Sequence, residues 1–417
     1  MLMNGYRSLD GLAAAEVRTS SSMLPVILVA TLALLLPLFD TLGVGPVFLA
    51  VACLFVAKSI RGGQFAVSIP VAAAYFLVVL AACFIGAGNR NIYYDALIFL
   101  LLVPSGFFFG HRLANNSHAL VTFLKSIVLI VAIGALLGVA ETLIERYLFT
   151  NSLFSITPSR DGQFRGRAFF PQSLVLAVFC AAAIPLAISS RVFRRFDSRL
   201  LLTASLLGGV VASGSRGVVA CIGVCLCLVL VYRGRSSQRL KHVICSALVI
   251  LGFVLLLILA GNPFSGSGAS LVTSTDAATA SAQYRAELYR QIVPVVVDNP
   301  SGTGLGRVPN GIITFRSTYG NLDASRTVDS EIVLILLKFG VAGVILYIVL
   351  WWASIRWLVS THGEYAQSLV VFLFAGVFLA LESWLSIAFV VAVLAGISAS
   401  ASNRANSVKT RPESLST

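Results

Sequence analysis

Residues 119–142 read ALVTFLKSIVLIVAIGALLGVAET, and Lys125 and Glu141 are the only charges in the run. A membrane-spanning helix needs roughly 20 predominantly apolar residues. Only helices and closed barrels satisfy their backbone groups in lipid, and barrel strands alternate apolar and polar residues over about ten positions. A block this long without alternation is therefore a helix. It predicts an all-α, polytopic integral membrane protein.

Similar blocks lie on both sides of it. Spans are expected at about 24–39, 44–57, 65–87, 95–110, 119–142, 169–190, 199–213, 217–232, 242–260, 331–352, 367–381 and 384–398. This divides the chain into a tail at 1–23, a bundle of about nine spans at 24–260, a polar loop at 261–330, about three further spans at 331–398 and a tail at 399–417. The N-terminal tail carries Arg7, Asp10, Glu16 and Arg18 and shows no convincing small-residue cleavage site, so it reads as an uncleaved cytoplasmic segment.

Composition agrees with this. Of the 417 residues, 58% are hydrophobic and 11% charged, with a mean hydropathy of +0.92, whereas about a quarter of an ordinary globular chain is charged. The net charge of +13 follows from loop lysines and arginines and attraction to anionic lipid, not from a nucleic-acid partner. The seven cysteines all fall in apolar blocks, and Cys221, Cys225 and Cys227 are better explained as small packing residues than as a metal site. No disulfide framework is implied.

Short loops alternate between a basic set (Lys58 and Arg61; Arg112; Arg191, Arg194, Arg195 and Arg199; Arg233, Arg235, Arg239 and Lys241) and a sparse set. The basic set is expected on the cytoplasmic side. Residues 88–94, 143–168, 214–216 and 261–330 then face outward, whereas all four histidines, His111, His118, His242 and His362, lie in or beside cytoplasmic loops. The outer face nevertheless carries many arginines: Arg90, Arg146, Arg160, Arg165, Arg167, Arg216 and the five of the long loop. This runs against the positive-inside bias, and an anionic ligand held by planar bidentate donors explains it. The alternative is solvated arginines paired with neighbouring acids.

The 261–330 loop sets Arg285, Arg290, Arg307, Arg316 and Arg326 against Asp276, Glu287, Asp298, Asp323 and Asp329, with no lysine, histidine or cysteine. Zinc and histidine-based catalysis are thus absent from the loop itself. Within it, Gln283 to Val297 predicts an amphipathic helix with Tyr284, Leu288, Ile292 and Val295 on one stripe, interrupted by Pro294 and stopped by Pro300. Such a helix is suited to lie on the membrane surface, stripe down. The glycines of Ser301-Gly-Thr-Gly-Leu-Gly-Arg307 allow close backbone approach, which suits a phosphate, and equally plain loop flexibility.

Charges within or at the ends of spans are Asp95, Lys125, Glu141, Glu331, Lys338 and Glu382. Most sit near an end, where snorkelling accommodates them. Lys338 is deeper and is expected to pair within the bundle, and Gly340 and Gly343 on the same span admit a close neighbour.

Four motifs in order resemble the O-antigen ligase and polymerase superfamily, the Wzy-type membrane glycosyltransferases. They are Arg167-Ala-Phe-Phe-Pro171 entering a span; Ser213-Gly-Ser-Arg216-Gly217 in a tight turn; Tyr284-Arg285 with Asp298-Asn299-Pro300 and Gly302-x-Gly304-x-Gly306; and Asp329-Ser330-Glu331 leading to Lys338-Phe-Gly340-Val-Ala-Gly343. The resemblance covers roughly residues 160–350. Where ligases of the family usually carry a histidine, this chain has Val328-Asp329, which favours a polymerase.

The resemblance implies transfer of a glycan from an undecaprenyl pyrophosphate carrier to a sugar hydroxyl, at the periplasmic face of a bacterial inner membrane. Arg216 and Arg285 are then the expected pyrophosphate clamp, with Arg167 as a third donor and Arg290 or Arg307 in support. Asp329 is the first choice for proton acceptor and Glu287 the second, although an acid also suits a helix start. No cofactor or metal is called for. Expected partners are the lipid-linked glycan, its acceptor, membrane lipid and a chain-length regulator. A secondary transporter, a lipid-linked oligosaccharide flippase and a non-enzymatic scaffold are the competing classes. The transporter finds no internal repeat here, and the flippase needs a cationic cavity inside the bundle, whereas these arginines sit in outer loops.

Overall fold

The computed structural model describes residues 23–35, 45–60, 69–89, 91–149, 164–215, 218, 223, 277–317, 320–323, 325, 328, 330–361, 363–376 and 384–409. The helices are α1 (Leu24–Leu35), α2 (Gly45–Ser59), α3 (Ile69–Ile85) and α4 (Ile92–Ala114), followed by α5 (Ser117–Ile144), α6 (Ser173–Ile188) and α7 (Phe196–Ser213). After them come α8 (Ala277–Asp298), α9 (Glu331–Thr361), α10 (Glu364–Ala375) and α11 (Leu385–Lys409). Between α8 and α9, β1 (Thr314–Ser317) and β2 (Gly320–Asp323) form an antiparallel hairpin that pairs Thr314 with Asp323 and Ser317 with Gly320.

The fold is that of an all-α membrane protein. Ten of the expected spans coincide with apolar helices; of those at 217–232 and 242–260, only Val218 and Gly223 are among the described residues. Among the described residues, five helices are long and apolar enough to cross a membrane: α4, α5, α7, α9 and the Leu385–Ala405 part of α11. The other apolar helices, α1, α2, α3, α6 and α10, have 12 to 17 residues. Large apolar side chains on the outer surface, among them Phe55, Leu77, Phe84, Leu136, Leu201 and Trp352, are exposed, as lipid-facing residues must be.

Close helix packing follows from small residues. A Cβ on Gly110 would sit 2.1 Å from the Val393 carbonyl oxygen, and one on Gly396 would sit 2.1 Å from that of Phe107. These glycines let α4 and α11 meet backbone to backbone. Gly209 of α7 does the same against Ala135 of α5.

The described loops gather at two ends of the bundle. At one end Arg404 donates to the Ala114 carbonyl, and Ser360 bonds Ser402 at 2.8 Å. At the other end lie the turns after α3, α5 and α7 and the whole described part of the 261–330 loop.

Several expectations are corrected. The loop helix runs from Ala277 to Asp298 and passes through Pro294 without interruption. Proline removes one hydrogen bond from a helix interior, and packing of Leu288 and Ile292, both buried, holds the helix together around it. Its apolar stripe does not lie on a membrane surface: it forms a cluster with Val333, Leu334 and Leu337 of α9 and with Val308, Ile313 and Val328. The final helix continues past 398 to Lys409. Snorkelling describes Lys125, which is exposed, but not Glu141, Glu331 or Lys338, which are buried, or Asp95, which is half-buried.

Candidate functional site

At the loop-bearing end, the segment Arg165–Pro171 rests on the last turns of α5. Gly166 makes this possible: its Cβ would fall 2.0 Å from the Gly138 carbonyl oxygen. The Gly166 N–H is directed at both the Thr142 hydroxyl and the Ala212 carbonyl, 3.1 Å from each, and the Thr142 hydroxyl in turn donates to the Ala212 carbonyl at 3.2 Å. The segment before α6 is thereby stitched to the end of α7.

Glu141 organises this corner. Its carboxylate is fully buried and accepts three backbone N–H groups, from Leu148 at 2.8 Å, Arg167 at 2.8 Å and Ala168 at 2.7 Å. A buried charge needs such donors. They hold Ala168 at φ 52°, a left-handed conformation costly for a residue with a Cβ. Phe169 and Phe170 then stack, with ring centroids 4.7 Å apart, and fill the space beside Gly134.

Arg167 is 1% exposed. Its guanidinium lies 4.3 Å from the Tyr147 ring centroid, and one Nη donates to the Phe149 carbonyl at 3.1 Å. Burial lowers its pKa, while Tyr147 and Glu141 act in the opposite direction. A guanidinium stays charged through such shifts. Arg165 lies beside it along Gly214, whose Cβ would sit 3.3 Å from the Arg165 Nε. The segment that carries the Arg167–Pro171 motif and the described start of the second motif, Ser213–Ser215, are therefore neighbours in space.

The loop helix α8 carries the third motif and packs on α9. Glu287 is buried and accepts from Arg290 Nη2 at 2.8 Å and Gln291 Nε2 at 2.7 Å. One turn of charge is thus neutralised where the helix meets α9. The Tyr289 hydroxyl lies 2.8 Å from the Ser330 hydroxyl, tying α8 to the chain next to position 329. Arg307 is exposed. Arg216 and Asp329 lie outside the described residues, and for Arg285 the backbone in α8 is described but the side chain is not.

The glycine-rich segment 301–307 has a definite place. Helix α9 is broken at Gly340, at φ 61° and ψ −152°, which frees carbonyls and N–H groups that must find partners in lipid. The segment supplies them. The Thr303 N–H donates to the Leu337 carbonyl at 2.6 Å, the Gly304 N–H to that of Lys338 at 3.0 Å, and the Val341 N–H donates back to the Pro300 carbonyl at 3.0 Å. On the opposite side the Leu305 N–H donates to the Ala82 carbonyl, and the Asn89 amide donates to the carbonyls of Thr303 and Leu305. The close approach expected of these glycines is real, but it is made to helix backbones. Beneath it, Lys338 Nζ lies 2.6 Å from Asp95 Oδ2, which also accepts the Gly306 N–H at 3.0 Å.

Sequence reasoning missed the roles of Glu141, Asp95, Tyr147 and Tyr289. The signal available for the first two was their position inside apolar runs, which alone marks an ionisable residue as a suspect.

The molecule is thus a helical membrane protein in which Arg165 and Arg167 lie beside the end of α7, and α8, which carries Arg285 and Arg290, packs on α9. Residues 200–348 match the family model Wzy_C, O-antigen ligase, and this supports the O-antigen ligase/polymerase superfamily for the chain. The match runs from α7 through α8 and the hairpin into α9. No curated protein matches the chain.

Proposed function

We propose that this chain is a metal-independent membrane glycosyltransferase that polymerises oligosaccharide repeat units carried on undecaprenyl pyrophosphate, at the periplasmic face of a bacterial inner membrane. The product is an O-antigen or exopolysaccharide. The observation that carries this reading is the family match over residues 200–348, which takes in Arg216, Arg285, Glu287, Arg290, Arg307 and Asp329.

In the proposed reaction the acceptor hydroxyl attacks the anomeric carbon of the lipid-linked glycan. The bond from that carbon to the diphosphate oxygen breaks, and the hydroxyl proton passes to a carboxylate. Charge develops on the departing diphosphate, where positioned guanidiniums stabilise it most. Arg216 and Arg285 are assigned that task, with Arg290 or Arg307 in support; Arg167, expected as a third donor, is the weaker choice, since its guanidinium is buried and already donates to the Phe149 carbonyl. Asp329 is assigned as the proton acceptor. Glu287 is the weaker choice, since its carboxylate already accepts from Arg290 and Gln291. A polymerase is preferred to a ligase because Val328-Asp329 stands where the family's ligases usually carry histidine. Partners in this reading are the lipid-linked glycan, the glycan acceptor and a chain-length regulator.

The test is the surface-glycan profile of a deletion host complemented with wild type, Arg285→Ala or Asp329→Ala, with membrane levels checked. Single repeat units on the lipid A core with long chains lost, and neither variant restoring length, is the expected result. Long chains accumulating on the undecaprenyl carrier would identify a ligase. An unchanged profile would overturn the enzyme reading in favour of a transporter.

A further inference from the structure

The contact between Asp95 and Lys338 joins helices that are 243 positions apart in the chain. Lys338 is 7% exposed, two residues before the break in α9 at Gly340. Asp95 lies in the first turn of α4, just before a π-helical turn at Ile98–Leu102 whose Phe99 carbonyl accepts from the Tyr75 hydroxyl at 2.6 Å. Each element at this junction departs from regular helix, and the glycine-rich segment fills the gap between them.

The carboxylate has a double task. The same oxygen, Oδ2, takes the Lys338 ammonium and the Gly306 N–H. Gly306 is followed by Arg307, and Pro300, at the other end of the segment, follows α8 by two residues. Whatever holds 301–306 in the break therefore fixes both the exit of α8 and the start of the chain leading to the hairpin. A desolvated ion pair is a poor source of net stability compared with apolar packing. Its distinctive property is directional: it fixes which oxygen faces the Gly306 N–H.

The geometry points to Asp95 and Lys338 as positioning residues of the long loop. The pair seats segment 301–306 in the broken helix α9, and so sets where the arginines of α8 and Arg307 meet an anionic lipid-linked donor. The assignment of an anionic donor rests on the proposed function; the seating does not.

Three variants separate these statements: Asp95→Asn, Lys338→Met and the two combined. Asparagine keeps an acceptor for the Gly306 N–H, so the combined variant removes both charges yet leaves the seat intact, whereas each single variant leaves one charge without its partner. Seating is read by labelling Thr303→Cys with a membrane-impermeant maleimide, against a background lacking that cysteine. Function is read as chain elongation in membrane vesicles over a range of lipid-linked donor concentrations.

In each single variant, labelling rises and the half-saturating donor concentration increases at least about tenfold, as expected when a desolvated charge loses its partner. Both values return towards wild type in the combined variant. Thr303→Cys still protected and elongation unchanged in the single variants would overturn the proposal. So would a combined variant that stays protected but does not elongate, because the charges would then act in the chemistry itself. Should a single variant fail to accumulate in membranes, the combined variant decides: protected and active supports the proposal, labelled or inactive overturns it. If wild type itself shows no elongation, the proposed function fails while the labelling still reports the seating.

Discussion

Glu141 and Arg167 are joined through the main chain and not only through their charges: the Glu141 Oε2 accepts the Arg167 backbone N–H at 2.8 Å across 26 positions of sequence. The same oxygen accepts the Ala168 N–H, and Oε1 that of Leu148. One carboxylate therefore shapes both the turn leaving α5 and the segment entering α6.

Replacing Glu141 with alanine leaves three N–H groups without their acceptor. At roughly 1–3 kcal/mol for each buried unsatisfied group, Glu141→Ala is expected to destabilise the fold by at least about 3 kcal/mol. Glutamine keeps one oxygen and loses the other, so Glu141→Gln should fall between. Melting of detergent-purified protein checks the order; equal melting temperatures for wild type and both variants would refute it.

Gly304→Ala should be severe. The residue sits at φ 82°, and its Cβ would lie 2.1 Å from the Gly86 N, a backbone atom that cannot move aside. Gly88, with nothing within 4 Å of its Cβ position, is the control. Overpacking costs typically 1–3 kcal/mol and strain at positive φ adds to it. The expected readout is strongly reduced membrane accumulation for Gly304→Ala and near-normal levels for Gly88→Ala.

The loop helix is held by its stripe on α9, so Leu288→Ala should cost about 2–5 kcal/mol and expose the loop to protease. Val297, 73% exposed, gives the comparison: Val297→Ala should leave the digestion pattern unchanged. A helix floating on lipid would respond in the same way to both substitutions.

Tyr289→Phe removes the hydroxyl that meets Ser330. A hydrogen bond of this kind contributes about 1 kcal/mol, so the protein should accumulate normally. If Asp329 is the proton acceptor, elongation should slow several-fold because its neighbour is no longer tied to α8. An unchanged rate at saturating donor would show that this tie does not position the site.

Much of this architecture was legible along the chain. Long apolar runs such as 119–142 leave a lipid-embedded backbone little alternative to helix. The motif resemblance at 160–350 overlaps the family match at 200–348. Sequence spacing also identified Lys338 as a residue that pairs inside the bundle, without identifying its partner.

What the sequence by itself determined, then, is what periodicity and composition record: the helical class, the sites of the described apolar helices and the polar loop that carries arginines. Tertiary structure alone decided the rest. Asp95 meets Lys338, and Glu141 meets Arg167, across long separations, because a buried charge takes its partners from whatever backbone the packing brings near. The glycines of 301–307 looked equally fit for a phosphate or a slack loop; the break at Gly340 offers them unpaired helix groups, and satisfying those in lipid takes precedence.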